Sequence, residues 1–319
     1  MAEETLKIFS FRRAGKERAG LCVGSQLYDL SWLLCEWPGT EDLELPDFPT
    51  VLHLIERGCF GREWLRELWR FACDGSLAES ARLQEPVEFL PPITRPQKIL
   101  CLGRNYAAHA QETGATVPEE PIFFAKAPSS LIGHEQPIRL PALSKRVDHE
   151  AELAFVIGKR AKGVPAEKAW DYVAGYTIVN DVTARDLQKA DIDKAKPWFR
   201  SKSFDTFCPC GPWIVPREEI PNPHSLNIEL RVNREVRQKA NTADMIFKIP
   251  ELVEYLSAHL TLEPGDIIST GTPEGISPLR PGDVVEVEIE RIGVLRNPVA
   301  AESGPTAEAQ PASHPKELG

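Results

Sequence analysis

From Lys98 onward the apolar residues of this 319-residue chain come in short runs, each broken off by glycine, proline or charged residues. Short apolar runs bounded by turn residues read as strands separated by turns. Residues 98–102, 152–157 and 176–179 are compact apolar strands. Val285, Val287 and Ile289 alternate with Glu286, Glu288 and Glu290, the pattern of a strand with one solvated face rather than of a carboxylate metal site. Helices interrupt the pattern at 165–173, with Pro165 in the first turn, and at 249–260, where Ile249, Leu252, Val253, Leu256 and Leu260 share one face.

The first ninety residues differ. Strands are expected at 6–11, 21–23 and 26–30, with Gly24-Ser25 as a two-residue hairpin turn. Two helical patterns follow, one on Val51, Leu52, Leu54 and Ile55, the other on Trp64, Leu65, Leu68 and Trp69. The tryptophan stripe reads as core. Prolines at 86, 91, 92 and 96 stiffen the connection that follows. The chain therefore divides into an N-terminal accessory domain at 1–92, a main domain at 93–300 and a tail at 301–319 whose Ala, Pro, Glu and Ser predict disorder.

Bulk properties exclude several functions. Lys plus Arg number 37 against 47 Asp plus Glu, and the net charge of −10 repels nucleic acid. No apolar run approaches the roughly 18 residues of a membrane span. Residues 1–5 lack the basic and apolar segments of a secretory signal, so a cytoplasmic location is expected. Seven cysteines, scattered from Cys22 to Cys210, do not form a disulfide framework. Cys208 and Cys210 are too isolated for a zinc site and read as buried thiols.

Chemistry is concentrated in a few segments. In His149-Glu150-Ala-Glu152, a strand would place both carboxylates on one face. Such a pair needs a cation, a shared proton or exposure to solvent. Asp181 stands at the end of the next apolar strand, where ligand-handling residues and turn residues alike are found. Together the three carboxylates would make a hard oxygen site suited to Mg²⁺ or Mn²⁺. His109 and Glu112, spaced i, i+3, would touch on a helix, either as an oriented base or as a surface pair. Thr183–190 reads as a helix capped by Thr183, on which Arg185 and Gln188 face the cavity of Asp181, or Arg185 pairs with Asp186 or Asp181. Lys202 lies in a polar, turn-like stretch. Residues 265–275 form a strand ending in a Gly-rich turn, which either offers backbone N–H groups and the Thr272 hydroxyl to a carboxylate or is a simple hairpin.

Six ordered motifs resemble the fumarylacetoacetate hydrolase family. They are Gly103-Arg104-Asn105-Tyr106 with His109 and Glu112; His149-Glu150-x-Glu152-Leu; Asp181-Val-Thr-Ala-Arg185-Asp-x-Gln188; Lys202-Ser-Phe-Asp-Thr; Met245-Ile-Phe; and Gly265-Asp-Ile-Ile-x-Thr-Gly-Thr-Pro-x-Gly275. The likeness spans about residues 97–299 and is to the smaller two-part members. It implies an α+β, predominantly β fold, a mixed β-sandwich roll with a small α/β N-terminal domain, assembly as a homodimer, and a metal held by Glu150, Glu152 and Asp181. It implies His109 and Glu112 on a lid, with Lys202 in the catalytic set, and substrate contacts from Arg104, Tyr106, Arg185, Gln188 and Thr272.

The expected activity is divalent-metal-dependent C–C hydrolysis of an acylpyruvate-type β-diketo acid. The metal would stabilise the enolate, His109 would activate water, and pyruvate and a carboxylic acid would leave. An oxaloacetate-type decarboxylase, a 2-oxo acid isomerase or a lyase would use the same enolate. A non-catalytic binding paralogue would have no need of His109, Glu112 and Lys202.

Overall fold

The Ala151–Ile157 strand is buried at every position. It lies inside the larger sheet, antiparallel to Val173–Asn180 on one side and to Ile267–Ser269 on the other. Beyond Glu152, both of its faces are accordingly apolar. Leu153 and Phe155 pack into one core; Ala154 and Val156, pointing the other way, pack into a second.

The computed structural model describes residues 5–37, 44–61, 63–73, 79–84 and 86–302. Its larger sheet has eleven strands. Along the main path the order is Gln26–Asp29, Lys16–Val23, Lys7–Arg13, Cys208–Pro216, Val173–Asn180, Ala151–Ile157, Ile267–Ser269, Ile99–Gly103 and Ile122–Lys126. A five-stranded sheet, in the order Glu235–Asn241, Asn227–Val232, Val284–Ile289, Gly293–Ala301 and Ile138–Leu140, covers one face. Ile228, Leu230, Val285, Val287 and Leu295 of this sheet share a core with Leu153, Phe155 and Ile178 of the other. The helix Ile249–His259 contributes Leu252, Val253 and Leu256 to the same core. This is the predominantly β, α+β layering expected.

On the opposite face, the helices Leu30–Glu36, Val51–Glu56 and Glu63–Cys73 bury Leu33, Leu54, Leu65 and Leu68 against Ala154, Val156, Cys208 and Cys210. Pairing of Ile8 with Ile214 carries the sheet from the N-terminal strands into the strands of the main segment. The glutamates at 286, 288 and 290 do face outward, and Arg231 pairs with the first two.

Four local expectations are corrected. The segment 165–173 forms a 3₁₀ helix, Ala166–Tyr172, rather than an α-helix. The strand expected at 26–30 ends at Asp29, whose carboxylate accepts from the Ser31 N–H at 3.1 Å and caps the unanticipated helix Leu30–Glu36. The helix expected from Thr183 begins instead at Arg185 and runs to Ile192, and Thr183 does not cap it. Its hydroxyl donates to the Asp181 carbonyl at 2.8 Å. Lys202, expected in a turn, ends the short helix Phe199–Lys202. Residues 303–319 of the expected tail lie outside the described residues.

Candidate active site

Antiparallel pairing of Ala151 with Asn180 sets the start of one central strand beside the end of its neighbour. Glu150 and Glu152 therefore arrive next to Asp181. The Asp181 N–H donates to the Glu150 carbonyl at 2.9 Å, and the Glu150 N–H donates to the Asn180 side-chain oxygen at 2.9 Å. Oxygens of Glu150, Glu152 and Asp181, all three buried, lie within 4.8 Å of one another.

Two buried lysines partly compensate these charges. The Lys202 ammonium bridges Glu150 at 2.7 Å and Asp181 at 2.6 Å. Lys126 donates to the other Asp181 oxygen at 2.6 Å and to the Val182 carbonyl at 3.3 Å. Burial alone would lower the pKa of Lys202, but Asp181 and Glu150 overcome it and hold the ammonium charged. Burial alone would raise the pKa of Glu150, but Lys202 and then Arg185 pull it below the carboxylate range.

Glu152 is different. Among the described residues it has no ion-pair partner; it accepts from the Ser269 hydroxyl and from the Gly271 N–H at 2.9 Å. Burial, then Asp181 and Glu150, push its pKa well up. A divalent cation among the three carboxylates would supply the missing positive charge. The donor set is all hard oxygen, and each carboxylate oxygen that a lysine or arginine engages keeps a further lone pair. Glu150, Glu152 and Asp181 thus fit a divalent metal of the Mg²⁺ or Mn²⁺ type.

A cavity of about 780 Å³ opens over this cluster. Glu150, Glu152, Lys202, Arg185, Gln188, Thr272, His109, Glu112 and Arg104 line it, so most of the expected site residues meet there. Tyr106 does not. It is buried at 1% exposure outside the cavity wall, and among the described residues its hydroxyl has no hydrogen-bond partner. Arg185 pairs with Glu150 and, at 2.9 Å, with Asp148, not with Asp181 or Asp186. It also donates to the Gln188 side-chain oxygen at 2.6 Å.

His109 sits on the short helix Ala107–Glu112, with Nδ1 3.2 Å from a Glu112 oxygen. The other Glu112 oxygen accepts from the Gly275 N–H at 3.0 Å, joining this helix to the Gly-rich loop. A carboxylate at Nδ1 selects the Nδ1–H tautomer and leaves Nε2 free to take a proton. Burial lowers the pKa of His109 more than Glu150 and Glu112 raise it, so the imidazole is neutral at neutral pH. The loop that follows Ile267–Ser269 is not a hairpin. Gly271, at φ +93°, turns its N–H toward Glu152, and a Cβ there would stand 2.8 Å from that of Asn105.

Several residues around the site were missed in the sequence. Lys126, Asp148, Asn180, Ser269 and Gln238 come from five separate segments, and nothing in their local spacing marks them.

The chain is similar to several known proteins. A family model described as fumarylacetoacetate (FAA) hydrolase, C-terminal, matches residues 98–300. A mitochondrial oxaloacetate tautomerase of Rattus norvegicus is 44% identical over 267 residues, covering 82% of each chain. The fumarylacetoacetate hydrolase of Exiguobacterium antarcticum superposes with a TM-score of 0.75 at 36% identity, over 93% of this chain and 100% of that one. A maleylpyruvate hydrolase from Sphingobium sp. SYK-6, solved with manganese(II) and pyruvate, gives a TM-score of 0.72 at 32% identity, over 92% and 99% of the two chains.

Proposed function

Because this chain belongs to the fumarylacetoacetate hydrolase family, we propose that it is a divalent-metal-dependent hydrolase cleaving a C–C bond in an acylpyruvate-type β-diketo acid. The observation that carries the reading is His109, oriented by Glu112, lining the same cavity as Glu150 and Glu152 of the three-carboxylate cluster. A cation held by Glu150, Glu152 and Asp181 supplies Lewis-acid stabilisation of negative charge on the oxygens of a 2-oxo acid.

The chain's own residues do the rest. His109 Nε2 takes a proton from water, whose oxygen attacks the carbonyl distal to the 2-oxo group. The C–C bond breaks, its electron pair becomes the enolate of pyruvate, and the acyl part leaves as a carboxylic acid. The proton held by His109 then returns to the enolate carbon. General-base help of this kind contributes about 10²–10⁴ in rate. The Lys202 ammonium adds positive charge beside the reacting oxygens. Arg104, Arg146 and Lys189 on the outer wall suit an anionic substrate tail.

A second reading takes oxaloacetate as substrate, with tautomerisation, the activity named for the rat relative, or decarboxylation in place of hydrolysis. There His109 would move a proton at carbon and no water would attack. Pyruvate release from acetylpyruvate, fumarylpyruvate and oxaloacetate, with and without EDTA, tests these readings, and the keto–enol absorbance of oxaloacetate is followed alongside. EDTA-sensitive release from the acylpyruvates supports the hydrolase. Reaction of oxaloacetate alone moves the protein to the second reading, and no EDTA-sensitive reaction with any of the three refutes both.

A homodimer belongs to the same proposal, and light scattering of the purified protein reads it. A cytoplasmic location is part of the same proposal, and fractionation of the cells that make the protein reads it.

A further inference from the structure

Gln238 belongs to the outermost strand of the five-stranded sheet, Glu235–Asn241, and to none of the six motifs. It is nevertheless 1% exposed and reaches across to the site from the opposite sheet. Its side-chain oxygen accepts from the Ala151 N–H at 3.0 Å and lies 3.1 Å from His149 Nδ1. Its side-chain nitrogen donates to the Pro273 carbonyl at 2.8 Å and to the Thr272 hydroxyl oxygen at 2.8 Å.

Two of these partners fix the orientation of the amide. A backbone N–H only donates and a backbone carbonyl only accepts, so the oxygen faces Ala151 and the nitrogen faces Pro273. Flipping the amide would leave both buried groups unpaired. Two consequences follow. His149 donates from Nδ1–H, so its Nε2, 2.8 Å from Ser277 Oγ, accepts the serine proton. The Thr272 oxygen accepts from Gln238, so its own O–H is left over. Among the described residues that O–H has no acceptor, and Thr272 lines the cavity beside Glu152.

We propose that Gln238 is a positioning residue: by occupying the Thr272 oxygen from behind, it turns the Thr272 O–H into the cavity as a donor for a ligand carboxylate. The identity of that carboxylate, the one adjoining the 2-oxo group, rests on the function proposed above. The orientation of Gln238 does not. The amide also ties the backbone next to Glu150 to the Gly-rich loop, so the outermost strand of the far sheet sets the direction of one hydrogen bond at the reacting centre.

Oxalate, a compact dianion with two adjoining carboxylates, is the probe, and its affinity for the Mn²⁺-loaded protein is measured calorimetrically. Thr272→Val should weaken oxalate binding about ten- to a hundredfold, the worth of a hydrogen bond to a charged acceptor. Gln238→Glu keeps the oxygen that serves Ala151 and His149 but sets a second oxygen against Thr272, which then donates backward. It should weaken oxalate to a similar degree, and the double variant should bind no worse than Thr272→Val alone. Thr272→Ser, which keeps the hydroxyl, should bind within a few-fold of wild type. Wild-type affinity in Gln238→Glu, or losses that multiply in the double variant, would overturn the proposal.

A ligand-free arm reads the tautomer of His149 from its ¹⁵N shifts in histidine-labelled protein. Nδ1–H supports the orientation, and Nε2–H overturns it whatever oxalate does. Failure of oxalate to bind wild type, with the tautomer as stated, would refute the 2-oxo acid reading and leave the orientation of Gln238 standing.

Discussion

Replacing Lys126 with methionine removes one charge from the base of the site and little volume. Lys126 and Asp181 are both buried, with side chains at 0% and 1% exposure and 2.6 Å between nitrogen and oxygen. Removing one member of a buried ion pair costs about 3–5 kcal/mol, because the other charge is left without its partner. Lys202 still holds the second Asp181 oxygen at 2.6 Å, so the lower end, about 3 kcal/mol, is expected. Against a typical stability of roughly 5–15 kcal/mol this is a large loss. At about 2–4 °C per kcal/mol it lowers Tm by about 6–12 °C. Urea unfolding in EDTA measures the metal-free difference. A cation that binds only the folded chain stabilises it by about 2.7 kcal/mol at a hundred times Kd. Saturating Mn²⁺ should therefore recover most of the deficit in Lys126→Met. The reasoning fails if the variant in EDTA lies within about 0.5 kcal/mol of wild type, or if Mn²⁺ stabilises it less than it stabilises wild type.

Glu150→Gln should keep the fold while lowering metal affinity by more than the roughly 10–100-fold that loss of a supporting group costs; calorimetric titration with Mn²⁺ reads this, and unchanged affinity would remove Glu150 from the ligand set. His109→Gln should slow turnover by about 10²–10⁴ with metal binding intact, as comparison of kcat with Mn²⁺ affinity will reveal. Because burial lowers the pKa of His109, kcat/KM should hold down to about pH 6.5, the ordinary value, and fall only below it; a limb above that value would assign the base elsewhere. His224 Nε2 accepts from the Ile249 N–H at 3.2 Å, and burial, then Lys248, bring its pKa down to about 4. The folded state therefore binds this proton less readily than the unfolded state, and stability present above about pH 6.5 should be lost as pH falls toward 4. His224→Gln, compared with wild type in urea at pH 7 and pH 4.5, should flatten that dependence.

Local order sufficed for much of this protein. The burial of residues 153–157 on both faces follows from their unbroken apolar run. Glu150 and Glu152 are two apart at a strand start, and strand geometry alone places both carboxylates together. His109 and Glu112 meet because they are three apart on a helix. The glycines at 271 and 275 mark the loop that supplies N–H groups to Glu152 and Glu112. Each of these contacts spans few residues or rests on a backbone conformation that only certain residues adopt.

What local order left undecided depends on which strands become neighbours. Lys126 reaches Asp181 across 55 residues of chain, Ser269 reaches Glu152 across 117, and Gln238 reaches His149 across 89 from the other sheet. Arg185 illustrates the difference. Its neighbours in sequence suggested Asp186 or Asp181, but the sheet brought Asp148 and Glu150 to it, while Ser144 and the Lys145 N–H took Asp186. Thr183 likewise had the residue type of a helix cap and gave its hydroxyl to the Asp181 carbonyl instead. A sequence specifies which groups need partners, through charge, burial and hydrogen-bonding capacity. Which group answers each need was decided only when eleven strands and five closed around the same core.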